Sequence, residues 1–402
     1  MLLEERRAKI LAILIKNERV LVNNLAELFS VSKETIRRDL SYLEKNQAIE
    51  RCYGGAILNK KNVMVSFRKE MLSNISDLLK HQDAIKVMTE EKKGKVCVFG
   101  SFNVDIVSYV ARLPHPGETI VSQSCSFGPG GKGANQAIAA SNAMCKVDFI
   151  TKVGNDQLSS HAYSHLEASN IDSLTIYVSD SAPTGNALIY VSELDGENMI
   201  AINQGANVTI TDEEIINSHK NILNSNILLV QLENNLSATI NAIKYAREND
   251  VTVILNPAPF TSDAKIMLPF VDIVTPNQTE ATLLSGINIT DIETAKKAAE
   301  RIAQMGPQCV IVTLGNKGAL LYDKGQFYMI PAYPAMVVDT TGAGDAFNGA
   351  LAASLSKGET IKHACHYAAA FSSLAVELNG ASNMPEHKNV LIRLNESSYS
   401  KM

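Results

Sequence analysis

The chain has 402 residues, 46% of them hydrophobic and 20% charged, with a net charge of −5. The length suits two domains and the composition an ordinary soluble globular protein. No apolar run approaches the ~20 residues of a membrane span. Glu4 and Glu5 stand where a signal peptide would be basic. The six cysteines (52, 97, 125, 145, 309 and 365) form no Cys-x-x-Cys pair, which excludes a zinc ribbon or disulfide frame. A reduced, cytoplasmic protein is expected. The charge is uneven: residues 1–60 hold 11 Lys/Arg against 8 Asp/Glu, the remainder 26 against 34. A basic head on an acidic body suggests different partners for the two parts.

In chain order, Glu4 to Lys16 reads as an amphipathic helix with Ile10, Leu11, Leu14 and Ile15 on one face. Asn23 and Asn24 offer an N-cap to a second helix, in which Leu25, Leu28 and Phe29 repeat at helical spacing. Ser30-Val31-Ser32 breaks that pattern. The segment from Lys33 to Leu43 resumes it, with Ser32 as its cap, Ile36, Leu40 and Leu43 inward, and Thr35, Arg37 and Arg38 on the polar side. Ile49 to Ile57, broken by Gly54-Gly55, can form a hairpin wing. Short helix, tight turn and polar-fronted helix is the order of a helix-turn-helix. A three-helix dimerisation module with a solvated arginine face is the plainer alternative.

Thr35-Ile36-Arg37-Arg38-Asp39-Leu40, with Arg7, Leu25-Ala26 and Gly54-Gly55-Ala56, resembles a DeoR-type winged helix over residues 1–58. The resemblance implies that Thr35, Arg37 and Arg38 meet operator DNA, with Lys33, Lys45 and Arg51 as phosphate contacts. Residues 59–94 form a connector, helix-compatible around Leu72, Ile75, Leu78 and Leu79 and ending in a charged hinge.

From residue 95 to about 395, short β-branched runs alternate with helical stretches. The runs are Val96–Gly100, Val147–Val153, Ile227–Leu232, Val251–Leu255, Ile273–Thr275 and Val310–Leu314. The helical stretches include Lys132–Ala143, Ser237–Glu248 and Ile292–Gln304. This is the pattern of an α/β domain with a largely parallel sheet, which binds ligands at the carboxyl ends of its strands. Polar clusters stand at those ends: Asn103 and Asp105, the glycine-rich turn Gly128–Asn135, Glu233, Asn277 with Glu280, and Thr313 to Gly318. Each has a plainer reading as turn former, helix cap or capping box. The stretch Asp339-Thr340-Thr341-Gly342-Ala343-Gly344-Asp345 then opens a helix of small residues. Such a turn leaves backbone N–H groups free at a positive helix end, a ready anion site. An aspartate there would repel a phosphate. It makes sense if its carboxylate takes the proton of a hydroxyl that attacks the phosphate; otherwise it is a cap.

Gly130-Gly131-Lys132-Gly133-Ala134-Asn135-Gln136-Ala137 and the Asp339–Asp345 stretch resemble the ribokinase branch of the PfkB carbohydrate kinase family, from about Lys95 to Pro385. Gly117-Glu118-Thr119, Gln204-Gly205-Ala206-Asn207 and Asn256-Pro257-Ala258-Pro259 point the same way. The resemblance implies a three-layer α/β/α fold with a small β lid. It also implies ATP-dependent phosphorylation of D-ribose at its primary hydroxyl. Asn103, Asp105, Gly131, Lys132, Gly133, Asn135 and Glu233 would hold the sugar. Asn277 and Glu280 would serve the triphosphate and Mg²⁺, while Thr313, Gly315, Gly318 and Gly344 line the nucleotide. Asp345 would be the base, beside an anion hole of Gly342, Ala343, Gly344 and Asp345. A K⁺ site would use Asp339, Thr341, Ala375, Gly380 and Ser382. Two departures are visible: Gln278 stands where a Glu is usual, and Tyr367-Ala368-Ala369 lacks the His or Asn often found on the adenine side. Ser181 to Ile202, with the region of Ile120–Phe127, would form the lid sheet and pair two subunits as a homodimer. The alternatives are a sugar-responsive regulator that uses the kinase fold as a sensor, and a kinase for deoxyribose, another pentose or a nucleoside.

Overall fold

The computed structural model describes residues 6, 7, 9, 10, 13, 14, 19–29, 31–45, 49–52, 54–58, 94–195 and 197–399. The chain divides into two compact units, residues 1–91 and 92–402. Apart from Gly94, the connector expected over 59–94 lies outside the described residues, as do Leu11, Ile15, Ser30 and Gly196.

In the first unit, the described residues between 6 and 14 are helical, and Ile10 and Leu14 are fully buried. They pack with Leu25, Ile36, Leu40, Leu43 and Ile49 into one small core. The helices Val22–Phe29 and Lys33–Lys45 follow strand β1 (Arg19–Leu21). Strands β2 (Ile49–Cys52) and β3 (Gly55–Leu58) make an antiparallel wing that β1 joins along β3. Two expectations change. The second helix begins at Val22, so Asn23 and Asn24 lie inside it rather than capping it. Leu28 is 64% exposed, because the face this helix turns onto the core carries Val22, Leu25, Ala26 and Phe29.

The second unit is built on a nine-stranded sheet. Its parallel part contains β4 (Lys95–Phe99), β7 (Lys146–Gly154), β8 (Ser173–Ser179), β11 (Ile227–Val230), β12 (Thr252–Leu255), β13 (Ile273–Val274) and β14 (Cys309–Thr313). Antiparallel β15 (Ala319–Asp323) and β16 (Gln326–Ile330) extend one edge, in the order β16-β15-β14-β13-β12-β11-β4-β7-β8. The central strands read as unbroken apolar runs because both faces are covered. On β4, Val96 and Val98 join one core while Cys97 and Phe99 join the other. Helices Lys132–Asn142, Ala343–Ser356 and Ile361–Ala375 cover the first face; Asp212–Leu223, Leu236–Glu248 and Ile292–Ala303 cover the second. Among the described residues no helix is long and apolar enough to cross a membrane. The six cysteines are free.

A second sheet has the order β10-β9-β5-β6, from β5 (Asn103–Val110), β6 (Ser124–Gly130), β9 (Asn186–Ser192) and β10 (Asn198–Asn203). The hairpin expected between residues 181 and 202 is present as β9 and β10. Asn103 and Asp105 are not in a loop trailing β4: they open β5, which pairs with both β6 and β9. The alternation of Asn103, Asp105 and Val107 hid a strand in what reads as a polar turn.

Candidate active site

Because β4 and β11 to β14 run parallel, Gly100, Gln231, Asn256, Thr275 and Thr313 all stand at one end of the sheet, where two cavities open. The smaller, about 230 Å³, is lined by Asn103, Ile202, Gln204, Asn207, Glu233 and Pro259. Asn207 locks the turn before β5. Its amide accepts from the Phe102 N–H (3.1 Å) and donates to the Phe102 carbonyl (3.0 Å) and to Asn103 Oδ1 (2.8 Å). Glu233 accepts the Lys132 N–H (2.9 Å) and the Ser101 hydroxyl on the same oxygen. The helix that begins at Lys132 approaches this turn closely. A Cβ on Gly133 would stand 2.5 Å from the Gly100 carbonyl carbon, so a larger residue would push the helix start off the site.

Asp105 is half-buried, and burial followed by the charges of Glu233 and Asp345 pushes its carboxyl up to about 6. The Lys132 ammonium is held above the ordinary lysine value, first by Asp345 and then by Glu233 and Glu280, against the opposing pull of burial. Asp345 is 5% exposed. Asn135 Nδ2 donates to its Oδ2 (3.1 Å) and Gln136 Nε2 to its Oδ1 (2.9 Å). Nothing in the sequence alone marked Gln136 as a site residue, although it sits within the Gly130–Ala137 motif.

The larger cavity, about 570 Å³, is lined by Thr313, Gly315 and Gly318 as expected, and by Gly344 at the helix start. Tyr333, Val337, Phe347 and Val376 supply walls that sequence reasoning did not assign, beside Ala369 of the segment expected on the adenine side. Their signal was spread over three segments that meet only in the fold. Tyr367 is buried and hydrogen-bonded to His387 Nδ1 (2.7 Å), so its helix offers Ala369 to the cavity instead. Asn277 and Glu280 form a capping box, each side chain meeting the other's backbone N–H (2.8 and 2.9 Å). Neither lines the cavity. Burial pushes the Glu280 carboxyl upward, against the pull of the Asn277 N–H and of Lys132.

At the anion turn, Gly342 is left-handed (φ 76°) and caps the helix Ala343–Ser356. The Ala343 N–H points to the Thr340 carbonyl (3.2 Å), so it is not free for an anion as expected. Among the described residues no protein acceptor meets the N–H of Gly344 or Asp345. Asp339 ties two loops together by accepting the N–H of Thr341 (2.8 Å) and of Gly380 (3.0 Å); although burial raises it, these bonds hold its carboxyl below the usual range. Ala375 is buried, and its carbonyl accepts the Leu378 N–H (3.0 Å). The Ser382 hydroxyl has both Asn135 Oδ1 (2.7 Å) and the Pro129 carbonyl (3.0 Å) as acceptors for its one hydrogen, and its oxygen keeps lone pairs that can meet a cation. Among the described residues no group of three or more His, Cys, Asp or Glu could hold a metal ion.

In the first unit, Ser32 Oγ accepts the Thr35 N–H (3.1 Å) and caps the helix as expected. Arg37 and Arg38 are exposed and Thr35 is half-buried. Arg51 turns back to Ser41 Oγ (3.0 Å) and the Arg37 carbonyl (3.4 Å), bracing the helix from the wing. Asp39 is 1% exposed and receives Arg6 Nε (2.7 Å) and Arg7 Nε (3.0 Å).

Comparison with known proteins gives the same division. Residues 93–388 match the profile of the pfkB family of carbohydrate kinases, and residues 6–62 that of the DeoR-like helix-turn-helix domain. A ribokinase of Staphylococcus aureus is 39% identical over 290 residues, which is 71% of this chain and 95% of the relative. A deoxyribokinase of Salmonella typhi is 32% identical over 305 residues, 75% of this chain and 99% of the relative. The solved ribokinase of Arabidopsis thaliana, complexed with ribose and ATP, superposes with a TM-score of 0.69 at 33% identity over 75% of this chain and 98% of its own.

Proposed function

The chain belongs to the pfkB family of carbohydrate kinases, and from that premise we propose that it transfers the γ-phosphoryl group of ATP to the primary hydroxyl of D-ribose. The observation that carries this reading is the placing of Asp345. Gly344, the preceding residue, lines the larger cavity, while Glu233 of the smaller cavity holds the start of the helix whose Asn135 and Gln136 bind the Asp345 carboxylate. Asn103, Asp105 and Glu233 hold the sugar, Asp105 accepting hydrogen bonds from vicinal hydroxyls. Asp345 takes the proton as the hydroxyl attacks, while the N–H groups of Gly344 and Asp345 and the Lys132 ammonium face the charge that develops on the phosphoryl oxygens. ATP occupies the larger cavity. The buried Glu280 carboxylate, one oxygen of which accepts the Asn277 N–H, could give at most one ligand, directly or through water, to a Mg²⁺ held mainly by phosphates, which would neutralise triphosphate charge. Asp339 with backbone oxygens of the two loops it joins is an all-oxygen set that fits K⁺.

The test is ATP consumption with ribose, deoxyribose, other pentoses and nucleosides, with and without K⁺, using Asp345→Asn as the control. Turnover should be highest with ribose and fall by about 10²–10⁴-fold in the variant. A variant as active as the parent sinks the assignment of the base. A preference for deoxyribose, the substrate named by the Salmonella relative, would reassign the sugar.

The DeoR-like match supports a second role, binding of operator DNA that governs sugar-use genes. Retardation of DNA flanking the protein's own gene, at stated salt and with or without ribose, tests it. Retardation unaffected by loss of Arg37 and Arg38 would remove the assigned DNA contacts.

A further inference from the structure

The proposed transfer needs Asp345 to present one oxygen steadily to the sugar hydroxyl, and any role for the groups that support its carboxylate rests on that reading. Under the carboxylate lies a set of buried amides that the two cavities do not require. Gln136 is 0% exposed, and all of its hydrogen-bonding capacity but one lone pair is used. Its Nε2 gives one hydrogen to Asp345 Oδ1 (2.9 Å) and the other to Asn256 Oδ1 (3.0 Å), while its Oε1 accepts from Gln231 Nε2 (2.6 Å).

The polarity of this amide is fixed from outside. An ionised carboxylate only accepts, so nitrogen must face Asp345. Asn256 must turn its oxygen to Gln136, because its own Nδ2 faces the Thr275 carbonyl (3.3 Å), an acceptor that cannot be reversed. The Thr275 hydroxyl bonds to Asn348 Oδ1 (2.6 Å), and Asn348 Nδ2 donates to the Gly344 carbonyl (2.9 Å), on the same turn that carries Asp345. The chain of bonds thus begins and ends at the first turn of one helix. Thr275, Asn348, Gln231 and Asn256 are each 6% exposed or less. Apolar side chains could fill this space without the desolvation that buried amides must recover through hydrogen bonds.

We infer that Gln136 is a positioning residue for phosphoryl transfer: poled by Asn256 and met at its oxygen by Gln231, its amide holds the Asp345 carboxylate in one rotation. Asn135, whose Oδ1 meets the Ser382 hydroxyl, fixes the other oxygen. Gln136 touches neither cavity, so its loss should be felt in the chemical step and not in binding.

The experiment uses the full chain and steady-state kinetics with the preferred sugar and ATP. Gln136→Met keeps the length of the side chain and removes its hydrogen bonds. It should lower kcat about 10- to 100-fold, with the KM of each substrate within about twofold. Gln231→Met, one bond further away, should give the same pattern with a smaller loss. Adding Gln136→Met to Asp345→Asn should change kcat little further, because both act through one carboxylate. An unchanged kcat in Gln136→Met overturns the inference. So does a rise in KM equal to the loss in kcat, or a double variant whose losses multiply, as a purely structural residue would give. If Gln136→Met does not fold, Gln231→Met decides by its kcat against KM. Full turnover in Asp345→Asn is a separate result: it removes the base and with it the reading on which Gln136 depends.

Discussion

Asp105 shows how one residue can be placed for a ligand at a cost to the fold. Burial and the neighbouring Glu233 and Asp345 carboxylates move it from the ordinary 3.8 to about 6. The folded state therefore prefers the neutral acid. The resulting stabilisation is complete below pH about 4 and is lost as pH rises through about 6, by on the order of 2–3 kcal/mol at most. Asp105→Asn should raise the melting temperature of the ligand-free protein at pH 8 and leave it nearly unchanged at pH 4. The same variant should weaken sugar binding at pH 8, because the amide accepts at one oxygen instead of two. Melting curves across that range check the first claim and sugar titrations the second. A gain in stability that is equal at pH 4 and pH 8 would show that the charge is not its source.

At the scale of elements, the first turn of the helix Ala343–Ser356 carries two glycines with different work. A Cβ on Gly342 would meet the Ala381 carbonyl oxygen at 2.6 Å, at a positive φ of 76°. A Cβ on Gly344 would meet no heavy atom within 4 Å, in the wall of the larger cavity. Gly342→Ala should therefore destabilise the protein and abolish turnover. Gly344→Ala should melt like the parent while its KM for ATP rises or its kcat falls, since the methyl group stands where a phosphate would. Calorimetry beside kinetics separates the two. In the head, the helix Lys33–Lys45 is held by the buried Asp39 carboxylate against Arg6 and Arg7. Asp39→Ala removes the carboxylate that Arg6 and Arg7 share, leaving Arg7 its stacking on the Tyr42 ring, and should cost the head about 3–5 kcal/mol, with loss of DNA retardation. Arg37→Ala with Arg38→Ala should lose retardation while the head stays folded, because both side chains are exposed. Circular dichroism and a salt series distinguish unfolding from lost phosphate contacts.

For the whole molecule, the small sheet leaves Leu188, Tyr190, Met199, Ile200 and Ile202 more than 40% exposed. The register pairs Met199 with Tyr190 and Ile200 with Ile189, which puts apolar side chains on both faces of the hairpin. Such a surface supports the expectation of a homodimer through this sheet, which would also give two DNA-binding heads for a two-fold site. Met199→Asp with Ile200→Asp charges both faces and should halve the mass seen in sedimentation. A parent that already sediments as a monomer rejects that arrangement.

The sequence by itself determined the two-part division of charge, the helix-turn-helix with its inward Ile36, Leu40 and Leu43, and the parallel sheet. It did so because those features rest on local periodicity and on unbroken apolar strands. It also marked Asp345, Gly344, Thr313, Gly315, Gly318 and Glu233, since glycine-rich turns and strand ends carry their own signature. Only the tertiary structure decided the rest. Asn103 and Asp105 belong to a strand whose partners lie far along the chain. The Ala343 N–H and the Ser382 hydroxyl hydrogen are already engaged. Asn277 and Glu280 cap a helix rather than line a cavity. Gln136, Gln231, Asn256, Thr275 and Asn348 form one network only after five segments meet beneath the sheet's carboxyl end. A hydrogen bond between residues that are 95 to 209 positions apart in the chain leaves no periodicity to read; it exists only when packing has fixed which amide faces which.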